Sequence, residues 1–177
     1  MEQSDCCIHP ARKSVKTPDH IVDSEGNAVF GTFDKEFEML NLLDSRHPTA
    51  APDFLNRLRL TLWEACEINL KEGVLLAALC DMGIFGKIMH VFWDRRTNKI
   101  YRFEKNISSS ETGIAPCLVG RAIALARHES CEIRYINEFE YGRASVTGRH
   151  KENHDELKYE FHLEKTCAPQ RCFDTIW

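Results

Sequence analysis

The chain has 177 residues, of which 43% are hydrophobic, and this is enough for one domain with its own apolar core. Its formal net charge of −4 argues against a nucleic-acid-binding domain, because such domains normally carry a clustered basic surface. The longest basic cluster, residues Asp94 to Lys99, coincides with a predicted turn. We therefore expect no nucleic acid among the partners.

The first residues, Met1 to Cys7, lack the apolar run of a secretory signal. We therefore expect a cytoplasmic protein whose eight cysteines are reduced thiols rather than disulfides. The segment from Val74 to Trp93 is long and largely apolar, but Asp81, Lys87 and His90 interrupt it. Two buried strands joined by a turn explain this segment better than a membrane-spanning helix, because a charge near the bilayer centre is costly.

Residues 1–16 are predicted to be disordered, and residues 17–59 to form an irregular arm that packs on a sheet. The arm contains several prolines and glycines, but Phe30, Phe33, Phe37 and Leu40 make it too apolar for a free tail. Residues 60–166 are expected to form a β domain, and residues 167–177 a C-terminal tail.

The β domain shows turn signals about every ten residues, which is typical of an antiparallel meander. Residues 107–116 are predicted to be an exposed loop, and residues 149–156 a polar turn. The predicted strands begin near Leu60 and cover residues 62–70, 74–80, 87–94, 99–105, 119–127, 131–140, 141–148 and 157–164. The last strand alternates apolar and polar residues strictly, as a half-buried strand does. We predict a mainly β fold, in which the meander forms a lipocalin-like (calycin-type) barrel or a strongly curved sheet.

Four common catalytic and cofactor motifs are absent: the P-loop, the nucleotide-binding glycine loop, the serine elbow and the zincin helix motif. His150 and His154 are spaced for a metal only on a helix, whereas here they span a predicted turn. Cys167 and Cys172 lack a clear second pair. We predict no metal site and no cofactor.

Two sets of residues are candidates for a functional site. His90 lies in a strand that is apolar on both faces, and a buried histidine beside a carboxylate can act as an acid or base. Asp94 and Glu64 are the carboxylates expected near it. The candidate ligand-binding residues are the aromatic side chains that would line or fill a barrel: Trp63, Trp93, Tyr101, Phe103, Tyr135, Phe139, Tyr159 and Phe161.

A series of short motifs carries a family resemblance over roughly residues 18–165. They are Ile21-Val22-Asp23-Ser24-Glu25-Gly26, Phe30-Gly31-Thr32-Phe33-Asp34, Leu40-Asn41-Leu42-Leu43-Asp44, Leu62-Trp63-Glu64-Ala65-Cys66-Glu67-Ile68 and Val91-Phe92-Trp93-Asp94. Their order resembles the amino-terminal half of the family called domain of unknown function twenty-eight-oh-four. That family is similar to the carotenoid-hydratase and AttH-type proteins, which have two lipocalin-like halves.

Two departures limit what the resemblance implies. The family usually has a basic residue before Glu-Trp, whereas Leu62 precedes Trp63-Glu64 here. The family is also about twice as long, so a ligand site between its halves would need a second chain here. The family has no settled activity, and the resemblance implies more about the fold than about the function.

Three functional hypotheses follow. The leading one is a non-enzymatic, lipocalin-like module that binds an apolar small molecule such as a lipid or isoprenoid. The second is a hydratase or isomerase that acts on a polyene or terpenoid through His90 with Asp94 or Glu64. The third is a structural half that pairs with another copy or a partner chain through a sheet edge.

Overall fold

The computed structural model describes residues 14–46, 52, 54–55, 58 and 60–166, and the backbone of residues 172–173. The predicted disorder of residues 1–16 therefore lies mostly outside the described residues, as does most of the predicted C-terminal tail. Among the described residues, no helix is long and apolar enough to cross a membrane.

Antiparallel β-strands make up most of the fold, as the sequence predicts. The strands are β1 (Gly31–Thr32), β2 (Leu62–Asn69), β3 (Gly73–Asp81), β4 (Phe85–Asp94), β5 (Lys99–Ser108), β6 (Thr112–Gly113), β7 (Ala122–His128), β8 (Cys131–Glu138), β9 (Arg143–Glu152), β10 (Asp155–Glu164) and β11 (Cys172–Phe173). Short 3-10 helices cover Leu42–Asp44, Ser109–Glu111 and Phe139–Tyr141. The mainly β prediction is confirmed.

The long strands form two sheets rather than one closed barrel in the described part of the chain. Sheet one has the strand order β2-β3-β4-β5, and sheet two has the order β10-β9-β8-β7-β6. Every neighbouring pair is antiparallel, so each sheet is a simple meander. The hydrogen-bonded ladder is interrupted where β5 ends, at a 3-10 turn whose Ser108 and Glu111 form a capping box.

The segment around this 3-10 turn corrects the prediction of an exposed loop at residues 107–116. Ile107 and Ala115 are buried, and β6 pairs with β7 through Thr112 and Gly113. The segment is therefore the corner at which the chain passes from sheet one to sheet two.

The two sheets pack face to face, and their strands cross. Gly86 of β4 lies against Thr112 of β6, which is at one edge of sheet two. Four residues further along β4, His90 is hydrogen-bonded to Tyr159 of β10, at the opposite edge. A single strand of sheet one thus spans sheet two from edge to edge, as in orthogonal sheet packing.

Alternate residues of each strand point into the space between the sheets and form the main core. Its buried members come from both sheets: Ile68, Leu75, Ala77, Leu79, Ile88, Ile107, Ala115, Ala124, Ala126, Cys131, Ile133, Tyr135 and Val146. The N-terminal arm has a small core of its own, which contains Ile21, Val22, Phe33 and Phe37. The arm attaches beside the corner segment, since the Leu40 N–H donates to the Pro116 carbonyl.

Candidate functional site

His90 is the most deeply buried polar side chain between the sheets. It lies on the inner face of β4, opposite Ala77 of β3 and Phe103 of β5, and it is 0% exposed. Its Nδ1 atom is 3.0 Å from the hydroxyl oxygen of Tyr159. Its Nε2 atom is buried and has no hydrogen-bond partner among the described residues. One nitrogen of the ring is therefore fixed by Tyr159, and the other is unsatisfied.

Gly148 makes the contact between Tyr159 and His90 sterically feasible. Gly148 lies opposite Tyr159 in the β9–β10 ladder, and a Cβ atom at Gly148 would overlap the ring and the hydroxyl of Tyr159. The absence of a side chain therefore lets the tyrosine ring lean over β9. The same register places Phe161 beside Tyr159, and the two rings stack with centroids 5.8 Å apart.

His150 is a second buried histidine, next to His90. Its ring centroid is 5.5 Å from that of His90 and 5.5 Å from that of Phe103. Its Nε2 atom is 3.5 Å from the Cys131 sulfur, while its Nδ1 atom is buried without a partner in the described part of the chain. These four residues, together with Tyr159, form what we call the histidine cluster: His90, His150, Cys131, Phe103 and Tyr159.

The position of His150 corrects the predicted polar turn at residues 149–156. β9 continues to Glu152, and the turn occurs at Asn153, which has a positive φ of 53°. His150 shares the inner face of β9 with Val146 and Gly148 and is only 2% exposed. The polar residues around it belong to the outer face of β9 and to the turn. For this reason the sequence pattern did not predict that β9 extends to Glu152.

Burial keeps both histidines of the cluster neutral at physiological pH. Removal from water, and to a smaller degree the nearby His150, lower the pKa of His90 to about 3. Burial also lowers the pKa of His150, and Lys105 acts in the same direction while Glu152 opposes it. Burial raises the pKa of Tyr159 above its ordinary value, so its hydroxyl stays protonated. Each cluster histidine therefore offers one donor and one acceptor nitrogen.

Glu64 belongs to a second polar group. It lies on β2, which neighbours β3 on the side opposite to β4, the strand of His90. Its carboxylate accepts a hydrogen bond of 2.7 Å from the Asn137 side chain. Burial raises the pKa of Glu64, although the bond from Asn137 acts in the opposite direction. Nearby, the Tyr135 hydroxyl donates to the Ala77 carbonyl at 2.6 Å.

Asp94 lies at the end of β4, in the turn to β5. Its carboxylate accepts the backbone N–H groups of Arg96 and Thr97, at 2.8 and 3.2 Å. Four residues of extended strand, about 13 Å, separate it from His90. The structure therefore does not bring His90, Asp94 and Glu64 into one hydrogen-bonded group.

Four of the eight predicted ligand-binding aromatic residues face the interior. Phe103 and Tyr135 are buried, and Tyr159 and Phe161 are half-buried on the inner side of β10. The other four are more exposed, with exposed fractions of 66% for Trp63, 39% for Trp93, 38% for Phe139 and 36% for Tyr101. Sequence reasoning did not place His150 and Cys131 in the site, and for His150 the alternation with outward residues of β9 was the available signal. It also chose Trp93 over Phe92, which packs against the main core.

The described residues contain no group of three or more histidine, cysteine, aspartate or glutamate side chains that is arranged to hold a metal ion. Comparisons with protein-family models, with curated proteins and with solved structures found no match. The resemblance to the two-lobed lipocalin-like family therefore stays a prediction.

Proposed function

We propose that the protein binds an apolar small molecule with an uncharged polar end, such as a long-chain or isoprenoid alcohol, between its two sheets. The observation that carries this proposal is the unpartnered Nε2 atom of His90, which is fully buried beside half-covered aromatic side chains. In this arrangement the polar end of the ligand meets the histidine cluster, and its chain lies along the inner side of β10.

The unsatisfied nitrogens supply the polar half of the argument. A buried donor or acceptor without a partner costs about 1–3 kcal/mol, and the histidine cluster has two of them, His90 Nε2 and His150 Nδ1. A ligand hydroxyl can both donate and accept, so it suits either ring tautomer. Because burial holds the pKa of His90 at about 3, the histidine is neutral and offers no charge to a carboxylate. This favours an alcohol over a fatty acid.

The inner side of β10 supplies the apolar half of the argument. Leu157, Tyr159 and Phe161 point inward but are only half-buried, and Leu163 is 38% exposed. By contrast, the inward residues of β8, at the middle of the same sheet, are nearly all buried. The sheets therefore leave apolar surface uncovered along β10, next to the histidine cluster. An interior ligand of this kind corresponds to the lipocalin-like use of β-sheets that the sequence resemblance implies.

The hydratase or isomerase hypothesis has less support than binding. Asp94 is committed to a turn, and Glu64 is paired with Asn137, so neither carboxylate contacts His90. His90 contacts a tyrosine hydroxyl instead, and burial raises the pKa of that hydroxyl.

A matched ligand titration tests the proposal. A fluorescent apolar probe is displaced by a long-chain alcohol, by the fatty acid of equal length and by the hydrocarbon of equal length. We expect saturable binding with the order alcohol, then hydrocarbon, then fatty acid. His90→Phe should weaken alcohol binding about ten-fold, the worth of one buried hydrogen bond, and leave hydrocarbon binding within about two-fold.

His162→Phe is the matched control, because His162 lies on the same strand as Tyr159 but is exposed. It should leave all three affinities unchanged. If no ligand in the series binds saturably to the wild-type protein, or if His90→Phe and His162→Phe behave alike, the proposal is wrong. Thermal melting of each variant with and without ligand provides a second readout, since a ligand at one hundred times its Kd stabilises a fold by about 2.7 kcal/mol.

A further inference from the structure

The turn between β4 and β5 carries an unusual combination of exposed apolar and basic side chains. We call residues 93–101 the basic hairpin. Trp93 and Ile100 face each other across the two strands, on the side of sheet one that points away from the core. They are 39% and 53% exposed. Arg95, Arg96 and Lys99 lie between them in the sequence and are exposed.

The charge of the basic hairpin is opposite in sign to that of the whole chain. It contains three cations against one carboxylate, whereas the chain has a net charge of −4. The one carboxylate, Asp94, accepts backbone hydrogen bonds within the turn. The nearest neighbouring turn contributes Glu72, whose carbonyl accepts the Arg95 N–H, and Lys71 precedes it. The surrounding charges therefore leave the hairpin positive.

The cations of the hairpin are held beside its aromatic rings. The Arg95 guanidinium lies 5.9 Å from the centre of the Trp93 ring, and the Lys99 ammonium lies 4.6 Å from the centre of the Tyr101 ring. The Trp93 indole N–H donates to the Asn98 side chain at 2.9 Å, which further fixes the ring. Trp93 and Ile100 lie on the outer side of the hairpin, whereas Tyr101, opposite Phe92, lies on its other side. The end of the hairpin therefore presents a ring beside a cation on each of its two sides.

We propose that the basic hairpin binds the surface of a membrane that contains anionic lipids. Tryptophan and tyrosine favour the membrane–water interface, where their rings are covered and their polar atoms stay hydrated. Lysine and arginine near an anionic leaflet each strengthen binding by about five-fold. Exposed Ile100 separates this surface from a nucleic-acid site, because an aliphatic side chain gains from the acyl boundary and has no partner on a phosphate backbone.

The basic hairpin lies at the turn between β4 and β5 and contains none of the residues of the histidine cluster, so membrane binding is independent of the interior ligand site. The full chain is sedimented with neutral phosphatidylcholine vesicles and with vesicles that also contain 30% phosphatidylserine. We expect binding to the anionic vesicles only, with a strong decrease as the salt concentration rises. Arg95→Glu/Arg96→Glu should weaken the binding by at least about 25-fold, which corresponds to the loss of two cations.

Lys151→Glu/Lys158→Glu is the matched control. It changes the net charge by the same amount, but both lysines are exposed residues of sheet two. Equal losses in the two double variants would overturn the proposal, since they would show a response to total charge only. Unchanged circular-dichroism melting curves verify that both variants are folded.

The position of Trp93 in the bilayer gives a direct second test. The chain has three tryptophans, so Trp63→Phe/Trp177→Phe leaves Trp93 as the sole reporter. Its fluorescence should be quenched by brominated lipid in anionic vesicles. The absence of quenching, equally tight binding to a single-stranded oligonucleotide, or dimerisation that the arginine variant abolishes would each contradict a membrane-binding hairpin.

Discussion

Two regions of the same interior are equally buried but chemically different. In the apolar region, Leu79, Ile88 and Ile133 are 0% exposed and belong to the main core. In the histidine cluster, His90 and His150 are 0% and 2% exposed, and each keeps one nitrogen without a partner. Burial of apolar surface in the first region stabilises the fold. Burial of unpartnered nitrogen atoms in the second destabilises it.

This difference separates the parts of the interior that hold the fold together from the part that is available for a ligand. A sandwich of this size does not need buried histidines, since apolar side chains of similar volume would pack there without desolvation cost. The histidine cluster lies next to the half-covered side chains of β10, while the apolar region lies in the middle of the sheets. The following substitutions test whether the two regions behave differently.

The largest effect is expected in the apolar region. Leu79→Ala should lower the free energy of unfolding by about 2–5 kcal/mol, because it leaves a cavity that packed neighbours fill only in part. Chemical denaturation monitored by circular dichroism measures the change. Leu163→Ala on β10, where the side chain is 38% exposed, should cost less than half as much. Equal costs would mean that β10 is covered as fully as the middle of the sandwich.

The pH dependence of stability tests the histidine cluster. His90 has a pKa of about 3 in the folded protein against 6.5 unperturbed, so the unfolded chain takes up its proton first as the pH falls. Protonation of this histidine in the unfolded chain therefore lowers the free energy of unfolding as the pH falls from 6.5 towards 3. Above pH 6.5 this loss is absent. Between pH 6.5 and 4.5 the loss should be about 2 kcal/mol.

His90→Phe should remove most of this slope, since His150, whose pKa burial also lowers, still contributes in the same window; His162→Phe should keep all of it. The window above pH 4.5 matters because the carboxylates of Glu111, Glu132 and Glu138 have lowered pKa values and contribute their own acid sensitivity only below it. A wild-type protein whose stability is flat from pH 6.5 to 4.5 would contradict the burial of a neutral His90.

A smaller loss of stability is expected from a substitution at Gly148, whose backbone contacts the Tyr159 ring of the histidine cluster. Gly148→Ala should cost about 1–3 kcal/mol, because the added methyl group occupies the space of the Tyr159 ring. Gly113→Ala is the matched control, since its nearest neighbour would be the Leu125 carbonyl at 3.9 Å. We expect Gly148→Ala also to displace Tyr159 from His90, which histidine ring NMR shifts can detect.

Local patterns in the sequence were sufficient for most strands and for several turns. The alternation from Leu157 to Glu164 predicts β10 correctly, and the turn predicted at residues 94–99 separates β4 from β5. The division into two sheets was missed, although Ser108 and Glu111 have the spacing of a capping box and mark the corner. The barrel prediction treated the meander as continuous through that point.

The histidine cluster depends on contacts that no local pattern contains. His90 and Tyr159 are 69 residues apart, and they meet only because the strands of the two sheets cross. His150 was assigned to a turn because most residues from 149 to 156 are polar. The sequence could identify His90 as a buried histidine in an apolar strand, but its partner was predicted to be a carboxylate and is instead a tyrosine.

The hydrogen bond between Tyr159 and His90 joins the two sheets within the histidine cluster, and its loss is the most informative. Tyr159→Phe keeps the ring and its stacking on Phe161 but removes the 3.0 Å contact with His90 Nδ1. We expect a loss of about 1–3 kcal/mol in the free energy of unfolding, because His90 Nδ1 is then buried without its partner although a ring of the same shape remains. A ligand hydroxyl could then bond either nitrogen of His90. Alcohol binding that survives in Tyr159→Phe but is weakened in His90→Phe would assign the polar end of the ligand to the histidine, and the opposite result would assign it to the tyrosine.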